Sequence, residues 1–191
     1  MATDADLIQI VDAAMAEAVR RSGAWLACRP GCYQCCIGPF AITQLDALRL
    51  RSGLADLELR EPERAARVRE RAHVSVERMR RECPTDPLGH ALLRDDTAED
   101  EPCPALDPAT GTCDLYASRP IACRTFGPAV RFGTQSVAVC ELCYQGLSDA
   151  QIAACDVAVD PENLEAELLR TLEGAGLNRE TVVAFALAVA S

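Results

Sequence analysis

Nine of the eleven cysteines fall into two groups, Cys28, Cys32, Cys35 and Cys36, and then Cys103, Cys113, Cys123, Cys140 and Cys143. Gaps of two or three residues let a short loop turn two thiolates onto one ion, and Gly31, Pro102, Gly111 and Pro120 supply the turns that this needs. Thiolates are soft ligands that select zinc or iron–sulfur clusters over magnesium or calcium. The two histidines, His73 and His90, lie outside the cysteine-rich stretches and read as surface or helix-packing residues, so an all-thiolate site is expected. Cys83 and Cys155 stand apart and read as ordinary buried thiols.

Adjacent side chains such as those of Cys35 and Cys36 tend to diverge, so one of them is expected to serve elsewhere. Nine candidate ligands would fill two four-ligand centres with one spare, or one centre beside redox-active thiols; one centre is the minimum. Four thiolates on a divalent ion leave net negative charge. Arg29, Arg119, Arg124 and Arg131 lie within or beside the cysteine segments; as donors to sulfur they would offset that charge, with Arg119 and Arg124 the cofactor-binding candidates. The bland alternative is that each pairs with a nearby acid such as Asp114. Asp107, Asp114 and Glu141 themselves read as solvated loop carboxylates.

The first motif, Cys28-Arg-Pro-Gly-Cys-Tyr-Gln-Cys-Cys36, precedes Thr43, which opens a helix. The second, Cys103-Pro-Ala-Leu-Asp-Pro-Ala-Thr-Gly-Thr-Cys113-Asp-Leu-Tyr-Ala-Ser-Arg-Pro-Ile-Ala-Cys123-Arg-Thr-Phe, follows in order. Together they resemble the CxxCxxCC, or YkgJ-type, cysteine-cluster family over residues 28 to 143. That resemblance implies zinc or iron chelation, and flagellin lysine N-methylase is a relative. One departure is the three-residue first gap, Arg29-Pro30-Gly31, so Cys32, Cys35 and Cys36 match the family pattern better than Cys28. Cys28, Cys32 and Cys35 also share the C-x3-C-x2-C spacing of radical S-adenosylmethionine enzymes, but few strand signals follow to build the barrel of that family.

Three function classes follow. The leading one is a metal-binding protein holding an iron–sulfur cluster, slightly favoured, or Zn²⁺. The second is an S-adenosylmethionine-dependent protein lysine N-methyltransferase-like enzyme, by similarity to the relative; against it, no glycine-rich nucleotide fingerprint occurs. The third is a thiol-based metal-delivery or redox module around Cys140-Glu-Leu-Cys143, although the βαβ setting usual for such a pair is missing. Whether the chain is an enzyme stays open.

The expected architecture is mainly α, with an irregular cysteine-rich metal-binding core and a short β-hairpin, flanked by helices. Thr3 and Asp6 have capping-box spacing, and Leu7, Val11, Ala14, Met15, Ala18 and Val19 share a face, which predicts a helix over 4–25. A second helix should run from Thr43 to near Gly53, and an Arg-dense, solvated one over 62–82. Residues 84–102, with acids at Asp95, Asp96, Glu99, Asp100 and Glu101, read as a mobile excursion. Residues 129–132 and 136–140 should pair across Gly133-Thr-Gln135, and helices should start at Ser148, at Pro161 and near Asn178. This makes a single domain over 1–191, with the cysteine core at about 28–143 and a helical segment at about 147–191.

With 19 basic residues, all Arg, against 29 acids, the net charge of −10 argues against nucleic acid as a partner. The 4% aromatic content offers few rings on which single-stranded bases stack. The apolar run Val182 to Ala190 is less than half the ~20 residues of a spanning helix, so no membrane is expected. The acidic N-terminus lacks the basic start and apolar run of a signal peptide. The expected setting is therefore the cytoplasm, where clustered thiols are ligands more often than disulfides. The expected partners are a metal ion or cluster and a possible protein.

Overall fold

The computed structural model describes residues 2–92, 101–136, 139–177 and 179–189. In chain order its elements are α1 (Asp4–Ser22), α2 (Gln44–Arg60), α3 (Pro62–Glu82), α4 (Pro87–Leu92), β1 (Leu106–Asp107), β2 (Thr112–Cys113) and α5 (Ile121–Thr125). There follow β3 (Val130–Phe132), β4 (Gln135–Ser136), α6 (Asp149–Ala153), β5 (Val157–Ala158), α7 (Leu164–Gly174) and α8 (Val183–Ala188). Short 3-10 turns occupy Gly23–Trp25, Gln34–Cys36 and Tyr116–Ser118. The architecture is mainly α with small sheets, as the sequence predicts. Among the described residues, no helix is long and apolar enough to cross a membrane.

Two compact units share the chain, each made of two separate segments: Met1–Arg29 with Ile121–Gly176, and Pro30–Pro120 with Leu177–Ser191. In the first unit, Thr3 and Asp6 close the expected capping box of α1, which buries Leu7, Val11 and Ala18. Val19, from the expected face, is half exposed. α1 packs against α5, β5 and α7. β3 pairs antiparallel with β4 and parallel with β5, so the expected hairpin exists, with a third strand that no local signal announces. Its second arm is described over Gln135–Ser136; of the expected arm to Cys140, residues 137–138 lie outside the described ones and 139–140 are not strand. Tyr144 is a buried tie: its hydroxyl lies 2.6 Å from Ser22 Oγ and accepts from the Ala129 amide at 2.8 Å.

In the second unit, α2, α3 and α8 enclose the main core of Leu50, Leu54, Leu57, Val68, Ala72, Ala186 and Leu187. α2 continues past Gly53 to Arg60 because that glycine is not a stop. A Cβ there would lie 2.0 Å from Ser118 Oγ, so the residue admits a close neighbour. α3 is no free solvated helix: Ala65, Val68, Ala72, Val76 and Met79 are buried, and alanines supply the face that larger apolar residues do not. The stretch expected to be an excursion carries α4, and its acids at 95, 96, 99 and 100 lie outside the described residues. The last helix starts at Val183, after Thr181 pairs with Ile42 in an antiparallel bridge, and not near Asn178, itself outside the described residues. α7 begins at Leu164, not Pro161, because Asp160 accepts the amides of Leu164 and Glu165 at 3.0 and 2.9 Å.

Candidate metal centre

The second unit joins the two cysteine motifs. Ile37 bridges Pro102, the Gly38 amide donates to Glu101 O at 2.8 Å, and the Cys103 amide donates to Cys36 O at 2.7 Å. Cys103 O in turn accepts from the Leu106 amide at 2.9 Å, and β1 sets Leu106 opposite Cys113 of β2. This hairpin therefore carries Cys103 and Cys113 to the turn that holds Cys35 and Cys36. At its tip Gly111, with φ +67, approaches Tyr33 and Gly31, the two neighbours of Cys32. The underside of Cys103 and Cys113 rests on the main core.

The thiols perturb one another. Cys35 and Cys36, neighbours on one 3-10 turn, act on each other through a side-chain hydrogen bond. That bond, helped by the positive charge of Arg119, holds the Cys35 thiol down to about 6. Donating the same bond pushes Cys36 up, as do burial and the neighbouring Cys35, Cys103 and Cys113. Burial drives Cys103 up to about 12, and burial also raises Cys113. An open cleft of about 290 Å³, walled by Phe40, Met79, Pro102 and Val183, puts hydrocarbon beside Cys103.

Asp114 anchors this hairpin to α3. Its carboxylate accepts Arg64 Nε and Arg71 Nη2, both at 2.5 Å, while its side chain is only 2% exposed. It is a buried tie, not the solvated loop acid that the sequence suggests. Arg71 Nε also donates to Pro104 O at 2.8 Å. Arg119 stacks over the Tyr116 ring at 3.6 Å and its charge reaches Cys35 and Cys113.

The first unit holds Cys28, Cys123, Cys140, Cys143 and Cys155. Cys140 and Cys143 are buried in a cluster with Ala129 and Tyr144, and Leu26 and Ala27 pack against it. Arg124 pairs with Asp12 at 2.7 Å, and Arg131 with Asp156. Each thus pairs with an acid, Asp12 or Asp156 in place of Asp114. Cys155 lies against Arg21 O and Gln151 O, and Cys83 near Thr85 Oγ1; both are half-buried, not the buried thiols expected. His73 is exposed and His90 half-buried on α4.

Among the described residues no disulfide forms, and no three His, Cys, Asp or Glu side chains are already arranged to hold an ion. The donor chemistry fits a soft metal nonetheless. Burial above all keeps Cys103 and Cys113 protonated, and the bond to Cys35 does so for Cys36; a cation is the partner that lets such thiols ionise. The sequence grouping missed one arrangement: Cys103 and Cys113 sit with Cys35 and Cys36, while Cys28 sits in the other unit.

No curated protein and no solved structure matches the chain. A family model does, over residues 27–143, under the description "CxxCxxCC: Putative zinc- or iron-chelating domain". With both motifs inside the matched span and its cysteines gathered as described, the chain belongs to the CxxCxxCC family of metal-chelating proteins.

Proposed function

We propose that the protein is a cytoplasmic cysteine-cluster protein that holds an iron–sulfur cluster, or else Zn²⁺, by thiolates alone. Its ligands come from Cys28, Cys32, Cys35, Cys36, Cys103, Cys113, Cys123, Cys140 and Cys143. One observation carries the reading: the Cys103 amide donates to Cys36 O at 2.7 Å and the β1–β2 hairpin sets Cys113 opposite Leu106, so motifs far apart in sequence meet. A thiol-rich, histidine-poor donor set suits either group, and the iron–sulfur cluster is the first choice. Arg119, whose charge reaches Cys35 and Cys113, would offset the cluster's negative charge. When bound, the group would supply folding free energy to a region poor in regular structure, and in the iron form a one-electron couple.

The thiol-exchange alternative is the poorer fit, since Cys140 and Cys143 are only 5% and 4% exposed and exchange needs access. The test is elemental analysis with an absorption spectrum on anaerobically purified protein. Iron with matching acid-labile sulfide and a visible charge-transfer band is the expected result. Stoichiometric zinc in colourless protein selects the zinc form. Folded protein with neither metal overturns the proposal.

A further inference from the structure

We infer that the cysteines form two separate metal centres, one in each unit, with Cys28 leaving its sequence neighbours to join Cys123, Cys140 and Cys143. The other centre is Cys35, Cys36, Cys103 and Cys113. This rests on the metal-binding reading above and deepens it, fixing the number of centres and the ligands of each.

Gly127 is the pivot of the first set. A Cβ at this residue would lie 2.8 Å from Cys28 Sγ, so the thiol lies directly against its backbone. Gly127 O also accepts the Cys140 amide at 3.4 Å, and Cys140 O accepts the Cys143 amide at 2.9 Å. The segment carrying Cys28 is fixed there by two further ties. The Tyr144 amide donates to Trp25 O at 2.8 Å, and Leu26 and Ala27 pack on the cluster that buries Cys140 and Cys143. Cys123 lies on α5, which ends at Thr125, two positions before the Gly127 turn.

The chain passes from one unit to the other between Arg29 and Pro30, inside the first motif. Cys28 therefore ends one unit and Cys32 lies in the next. The Cys103–Cys36 hydrogen bond and the hairpin register account for the second set without Cys28. Cys32, beside the Gly111 tip, is the spare thiol of that unit.

The experiment uses the full chain, purified anaerobically, as wild type and as two double variants, Cys140→Ser with Cys143→Ser and Cys103→Ser with Cys113→Ser. Metal per chain is counted, and each cysteine's protection from iodoacetamide is read by mass spectrometry. Each double variant should keep about half of the wild-type metal. Losing Cys140 and Cys143 should expose Cys28 to alkylation while Cys35, Cys36, Cys103 and Cys113 stay protected. Cys28 remaining protected, or all metal leaving either variant, overturns the inference.

Should either pair fail to fold, Cys28→Ser decides, because Cys28 is exposed and serine keeps its shape. It should deprotect Cys140 and Cys143; deprotection of Cys35 in their place overturns the inference. Metal-free wild type would overturn the metal-binding reading as well, so the two failures are distinct.

Discussion

Replacing Asp114 by Asn tests whether α3 holds the cysteine hairpin in place. The carboxylate binds two guanidiniums at 2.5 Å and is itself 2% exposed, but Arg64 and Arg71 keep 33% and 24% exposure. Breaking a fully buried pair costs about 3–5 kcal/mol, because a charge is stranded without solvent. Exposed pairs contribute only about 0–1 kcal/mol. Here the stranded partners can turn toward water, and Asn still accepts one hydrogen bond, so the expected loss is about 2–3 kcal/mol. For a chain of this length 1 kcal/mol moves Tm by about 2–4 °C, which gives a fall of about 4–12 °C by calorimetry. A double-mutant cycle with Arg71→Ala should return a coupling of about 1 kcal/mol or more, since the two side chains touch. An Asp114→Asn protein that melts with the wild type, or a coupling near zero, would refute the reasoning.

Gly127→Ala forces a side chain into φ +117 and against Cys28 Sγ. It should cost about 1–3 kcal/mol in urea unfolding and make Cys28 more reactive; an unchanged midpoint counts against the pivot. In metal-free protein, Cys35 at about 6 is mostly thiolate at pH 7, whereas Cys103 at about 12 is almost wholly thiol. Iodoacetamide should therefore label Cys35 far faster, with the rate falling by half as pH drops to about 6 and Arg119→Gln moving that point upward. Equal labelling at pH 7 would show the shared hydrogen bond to be absent.

Local signals carried the helices whose causes are local. Thr3 with Asp6 and Ser148 with Gln151 close the capping boxes that their spacing predicts, and Pro62 opens α3. What failed depends on residues distant in sequence. Gly53 looks like a stop until Ser118 is placed beside it. Asp114 looks like a loop acid until α3 brings two arginines to it. The cysteines were legible as candidate ligands, but their grouping was not. Nearness in sequence put Cys28 with Cys35, whereas a unit boundary runs between them and the Ile37–Pro102 bridge joins the motifs across a long interval.

The closure of the second unit by α8 bears on the order in which the molecule assembles. Arg51 Nε reaches Ala186 O at 3.1 Å across 135 positions, and Val183, Ala186 and Leu187 lie in the core on which Cys103 and Cys113 rest. Contacts so distant in sequence form late, after a large loop has closed. During synthesis, the first motif thus emerges long before the floor beneath its partners exists. A nascent chain carries unsupported thiols for that interval, so oxidant exposure should divert folding most strongly before residues 181–188 have left the ribosome.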